Sequence, residues 1–186
     1  MLPCSLRLGL ATLALPAVLA GQAGEARRVP ALGYRGFSAG MPYREFAALA
    51  QSLARRDTLR CQTMRRTAQV MDCGVSIRDP ADSARFYLSA NVIEGRVSVV
   101  SFKDSGGTAV VERAQRDLAR RFGPAHRREL SMWEWTSGRR FVRLNWRGRG
   151  AWRVVFITLN DRDVMDRISR YRPASPPSAP PARRAP

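Results

Sequence analysis

The 186-residue chain holds one histidine (His126), one lysine (Lys103) and three cysteines, and each scarcity removes a class of chemistry. One histidine cannot build a multi-histidine metal centre, and any Ser-His-Asp arrangement would have to use His126 itself. His126 follows the Pro124 corner and reads as an ordinary surface turn residue. No G-x-S-x-G elbow is present, and the scattered carboxylates form no paired constellation. A Ser-Lys pair would rest on Lys103 with Ser101 or Ser105 by proximity alone. Gly106-Gly107 lacks the strand-to-helix context of a phosphate-cradling loop. Nothing calls for a cofactor or a resident metal, and beyond Ala20 no run reaches the ~20 apolar residues that span a bilayer.

The ends of the chain give a compartment. Residues 1–20 place Arg7 before an apolar run from Leu8 to Ala20, with small residues at Ala17, Ala20 and Ala23. This is the pattern of a secretory signal peptide. No cysteine stands at the cleavage point, so no lipid anchor is expected, and the mature chain is expected to be periplasmic or secreted. Residues 21–36 read as a flexible lead-in. Residues 173–186, with six prolines, read as an extended tail that cannot bury enough apolar surface to offset its ordering entropy. The remaining 37–172 is the length of one ordinary domain.

Cys4 belongs to the signal segment, which leaves Cys61 and Cys73 facing each other across a turn expected at Arg65-Arg66. Two cysteines with no nearby histidine make a poor zinc site, and the spacing is not that of a C-x-x-C redox pair. A disulfide fits, given an oxidising compartment, and closing such a loop stabilises by roughly 3 kcal/mol.

The charge is lopsided, with 32 basic against 15 acidic residues, all but Lys103 of the basic ones being arginine. Two explanations stand: arginine-rich coding composition, or a partner of opposite sign. From Arg113 to Arg153 there are twelve arginines against Asp117, Glu129 and Glu134, so the sequence places any electrostatic footprint in the second half. A secretion signal argues against nucleic acid. The anions of an envelope are lipid head groups, lipopolysaccharide phosphates and acidic proteins, all of which suit the bidentate arginine fork.

Hydrophobic spacing predicts the elements. Phe46, Leu49, Ala50 and Leu53 share one face of a helix over Tyr43–Arg56 that opens at Pro42. The cysteine hairpin follows, then alternating strands over Arg85–Ile93 and Arg96–Phe102 joined at Glu94-Gly95. Asp104-Ser-Gly-Gly107 breaks the pattern. Thr108 is expected to cap a second helix through Val111, Ala114, Leu118 and Phe122, stopped by Gly123-Pro124. Three strands (125–136, 139–147, 151–159) and a short closing helix over Asp161–Tyr171 complete the chain. Helix then strands, twice over, predicts an α+β fold of two tandem helix-plus-antiparallel-sheet units, 37–103 and 104–172, with one intrachain disulfide.

Phe122-Gly123-Pro124 at a helix end, Trp133-x-Trp135 in a strand, a hairpin and a last strand from Trp152 to Leu159 resemble the BamE-like (SmpA/OmlA) domain of bacterial envelope proteins. Gly40-Met41-Pro42 resembles the glycine-then-helix opening of the same domains. The tandem order also resembles the β-lactamase-inhibitor-protein fold of secreted bacterial proteins. These resemblances imply a non-enzymatic envelope binding module. BamE-like proteins are typically lipoproteins, and this chain lacks the lipidated cysteine, so anchoring does not transfer.

The expected function is therefore binding of an envelope protein or an anionic lipid or lipopolysaccharide surface, with a small periplasmic hydrolase or an enzyme-inhibitor-like module as the alternatives. The candidate binding residues are Trp133, Trp135, Arg139, Phe141, Arg143 and Arg153, provided they converge on an exposed sheet surface. Trp133 and Trp135 have a second reading, as core beneath the second helix.

Overall fold

The computed structural model describes residues 32–65 and 70–170. The expected signal segment, most of the lead-in, Arg66 of the expected cysteine-hairpin turn, and the proline-rich tail lie outside the described residues. In chain order the elements are β1 (Gly33–Tyr34), β2 (Phe37–Ser38), α1 (Tyr43–Ala54), β3 (Arg60–Arg65), β4 (Val70–Arg78), β5 (Arg85–Ile93) and β6 (Arg96–Gly107). Then come α2 (Ala109–Phe122), β7 (Arg127–Glu129), β8 (Met132–Ser137), β9 (Arg140–Arg147), β10 (Trp152–Asp161) and α3 (Arg162–Arg170).

The expected α+β class with two separate sheet units is not what the chain builds. Strand makes up 51% and helix 25% of the structure, and the strands of both halves form one eight-stranded antiparallel sheet in the order β3-β4-β5-β6-β10-β9-β8-β7. The join is β6 against β10, paired from Gly107 opposite Trp152 to Val99 opposite Asn160. The physical reason lies in those two strands. Left as edges they would expose long rows of unpaired backbone groups, and pairing them removes both edges at once. Gly106 and Gly107, expected to break β6, instead continue it because β10 supplies their partners.

Strand alternation gives the sheet two different faces. Val75, Ile77, Leu88, Val92, Phe102, Val142, Leu144, Ile157 and Leu159 are buried on one of them. Phe46 and Ala50 of α1 and Val111, Ala114 and Leu118 of α2 share that core. Thr108 precedes α2, but its hydroxyl makes no capping bond. The β1–β2 hairpin, partly within the expected lead-in, sends Tyr34 and Phe37 into the core, edge-on to Phe102 at 5.1 and 5.6 Å.

Arg35, between those two rings' strands, holds the hairpin in place. It adopts a left-handed backbone (φ 52°) and lies 4.6 Å over the Phe86 ring. Its guanidinium donates to both carboxylate oxygens of Asp82 at 2.7 and 3.1 Å, and also to Asp79. Burial disfavours its charge, but the bonds to Asp82 and Asp79 outweigh this and hold the guanidinium pKa above its ordinary value. Tyr34 beside it donates its hydroxyl to Asp117 at 2.8 Å, and burial pushes the phenol up.

Helix α3 packs against β5 and β6 at one end of the other face, where Val164 and Ile93 are buried apart from the main core. Asp161 caps it, accepting from the backbone N–H of Asp163 (2.9 Å) and Val164 (3.2 Å), while its other oxygen accepts from Arg140 at 2.9 Å. The rest of that face carries no helix among the described residues. No helix among them is long and apolar enough to cross a membrane.

Candidate functional site

The six residues expected from the sequence do not form one surface. Trp133 and Trp135 point to the helix-covered face. Trp135 is buried, with its indole N–H donating to the Gly123 carbonyl at 2.9 Å, and Trp133 is partly buried against the same core beneath the Arg128 guanidinium. Arg153 also belongs to that side, by its register two residues before the buried Val155, and it bonds the carbonyls of Gly150 and Trp152. Arg139, at the β8–β9 turn, is bound by Asp163 and Asp166 of α3. Only Phe141 and Arg143 share the uncovered face. There Arg143 stacks over the Phe141 ring (5.0 Å) and pairs with the buried Glu134 at 2.6 Å. Of the twelve arginines between Arg113 and Arg153, six are held by carboxylates, which dilutes the footprint that the sequence placed there.

A denser cationic site lies at the opposite end of the sheet from α3. The C-terminus of α1, the end of β4, the start of β5 and the far part of β6 meet around a depression of about 1150 Å³. Its lining brings together Arg55, Arg56, Arg78, Arg85 and Lys103. None of the five has a carboxylate within ion-pair distance among the described residues. Two acidic residues, Asp57 and Asp104, share the lining, so the cations outnumber the carboxylates, and both carboxylates accept backbone N–H bonds. Asp57 accepts from the backbone N–H of Ser76 (2.8 Å) and Thr58 (2.9 Å), bonds that hold its carboxyl below the usual range. Asp104 accepts from the Ser105 N–H at 2.7 Å. The site therefore presents excess positive charge to solvent, and arginine forks and an ammonium are the donors that anionic oxygens need.

Tyr87 stands at the rim, 50% exposed and opposite Lys103 in the β5–β6 register. Its phenol lies over Gly74 of β4, so that a side chain added at Gly74 would collide with it. The glycine lets the ring lie down across the neighbouring strand rather than stand out from the sheet. Beyond the ring a second depression, of about 820 Å³, is lined by Asp57, Thr58, Arg60, Gln62, Asp72, Ser89 and Asn91. The Asn91 amide donates to Asp72. Below this groove runs the disulfide, with Cys61 and Cys73 directly opposite in register and their Cα atoms 4.1 Å apart.

The five cations were not visible in the sequence as a patch because they come from four separated segments. Each looks ordinary where it stands: Arg55 and Arg56 suit a helix C-terminus, and Arg78 and Arg85 flank a turn. His126 has a structural task, its Nδ1 accepting from the Thr136 N–H at 2.8 Å. Compared with protein families, curated proteins and solved structures, the chain matches none.

Proposed function

We propose that the protein is a non-enzymatic binding protein of the bacterial envelope, secreted or periplasmic, that docks an anionic partner where the end of α1 meets β4, β5 and β6. The observation that carries this reading is the depression lined by Arg55, Arg56, Arg78, Arg85 and Lys103, five cations without carboxylate partners beside the exposed Tyr87 ring. Aromatic and arginine anchors around a concave site are what binding surfaces favour. The signal-like pattern of residues 1–20 and the Cys61–Cys73 bridge support an oxidising compartment. The resemblance of Phe122-Gly123-Pro124 and Trp133-x-Trp135 to the BamE-like domain supports the same class. Relative to the sequence reading, the docking site moves from the second half of the chain to the join of α1, β4, β5 and β6.

The test is crosslinking of the mature protein within its native envelope fraction, followed by washing at low and high salt. Arg78→Glu with Arg85→Glu should abolish recovery of the partner. Arg44→Glu with Arg149→Glu, the same change of charge at exposed positions outside the site, should leave it intact. Equal loss in both variants would reduce the effect to net charge, and no loss in either would sink the reading. A defect caused by His126→Ala alone, in a variant whose melting curve shows the fold kept, would favour the hydrolase alternative.

A further inference from the structure

The two depressions share Tyr87 and Asp57 in their linings, yet they differ in charge balance, and that pairing narrows the partner. On one side of the ring are guanidinium and ammonium donors with no acceptor in excess. On the other are Asp57, Asp72, Arg60, Asn91, Gln62 and Ser89, a mixed set in which two carboxylates outnumber one guanidinium among amides and a hydroxyl. A ligand that crosses the ring must carry negative charge at one end and neutral groups able to donate to carboxylates at the other. Between them it needs a flat, weakly polar body to rest on an aromatic face.

We infer that the occupant is a phosphorylated oligosaccharide, lying with its phosphate in the basic depression, one sugar ring on Tyr87 and the following rings over the polar groove. This deepens the proposed function and rests on it. Sugar hydroxyls both donate and accept, so they suit a groove that offers carboxylates and amides together. Phosphate oxygens match the forks of Arg78, Arg85, Arg55 and Arg56. The C–H face of a pyranose is the apolar surface that an exposed tyrosine ring can cover. A single-stranded nucleic acid fits less well, because its next phosphates would fall on a groove where Asp57 and Asp72 outnumber Arg60. A bilayer fits less well because the site is a pair of depressions and not a flat apolar face. The spacing is compatible: neighbouring strands lie about 4.8 Å apart, so the groove over β3–β5 and the cations of β5 and β6 are within the reach of a few linked sugar rings.

Isothermal titration of the mature protein tests this with five probes: a mannopentaose phosphate, the same pentasaccharide without phosphate, inorganic phosphate, a single-stranded oligodeoxynucleotide, and vesicles of phosphatidylglycerol. The phosphorylated sugar is expected to bind more tightly than either of its parts. Tyr87→Ala should weaken that binding about tenfold, as expected for one lost aromatic contact, and Tyr87→Trp, which keeps a ring, should retain it. Asn91→Ala should weaken the phosphorylated sugar but leave inorganic phosphate unchanged, and Arg78→Glu with Arg85→Glu should weaken both. Melting curves of each variant confirm that the fold is kept. Binding of the vesicles or the oligonucleotide in place of the sugar would overturn this inference and leave the anionic-partner reading standing. Binding of the sugar phosphate that is indifferent to Tyr87→Ala would overturn the crossing geometry. Absence of binding by every anionic probe would count against both.

Discussion

Arg35→Ala removes the guanidinium that ties the β1–β2 hairpin to the β4–β5 turn, and the size of the effect follows from what is left behind. The Arg35 side chain is 13% exposed and that of Asp79 14%, whereas Asp82 is 47% exposed. Removing one partner of a buried ion pair costs about 3–5 kcal/mol, because the other charge stays buried. Solvent reaches Asp82, so its share shrinks toward that of a surface pair. The expected loss is about 2–3 kcal/mol, or a melting temperature lower by roughly 5–10 °C. Arg35→Gly removes the same charge but frees the left-handed backbone, which costs a residue with a Cβ roughly 1–2 kcal/mol. It should therefore be the milder variant. Acid dependence gives a second readout. The Arg35 bond holds the Asp82 carboxyl below its ordinary value, so it contributes stability that is present above the normal carboxylate range and lost as pH falls through the depressed value. Urea unfolding followed by circular dichroism from neutral pH downward should show this acid loss in the wild type and less of it in Arg35→Ala. An alanine variant as stable as the wild type, or a glycine variant less stable than the alanine one, would refute the argument.

Reducing the Cys61–Cys73 bridge, whose cysteines are separated by 12 positions, should lower stability by roughly 3 kcal/mol, read as a shift in the urea midpoint with and without reductant. Trp135→Phe removes the 2.9 Å donor of the partly buried Gly123 carbonyl and should cost about 1 kcal/mol in the same assay. Asp161→Ala removes both the cap of α3 and the partner of Arg140. Faster amide hydrogen exchange confined to α3 is the expected signature, and exchange unchanged in α3 would show that the helix is held by other contacts.

Much of the local structure was legible in the residues. The helical spacing around Phe46 and around Val111 to Leu118 marked α1 and α2, and the alternation of Phe86, Leu88, Ala90 and Val92 marked the bounds of β5. The cysteine pairing followed from elimination. What the sequence hid was non-local. The turn between β7 and β8 uses Leu130-Ser131, without glycine, proline or asparagine, and Leu130 is 97% exposed, so one long strand was expected where two short ones form. The β1–β2 hairpin is too short for periodicity to mark, and Tyr34 and Phe37 show their burial only once Phe102 is beside them. The merging of two expected sheet units into one depends on β6 meeting β10, whose paired residues lie 45 to 61 positions apart in the chain. The candidate binding residues were the least legible. Counting arginines along the sequence favoured the second half, yet carboxylates neutralise several of those, whereas the uncompensated cations converge from segments that carry no run of charge.

The proposed anionic partner is expected to sit at the join of α1, β4, β5 and β6. A photo-crosslinking side chain placed at Ser105, which is exposed and lines the basic depression, can be compared with one at Thr136, exposed on the second-half strands, both in the native envelope fraction. Crosslinks to an anionic partner from Ser105, suppressed by high salt and absent from Thr136, are the expected result. Crosslinks from Thr136 with none from Ser105 would contradict the account and return the docking site to the second half of the chain.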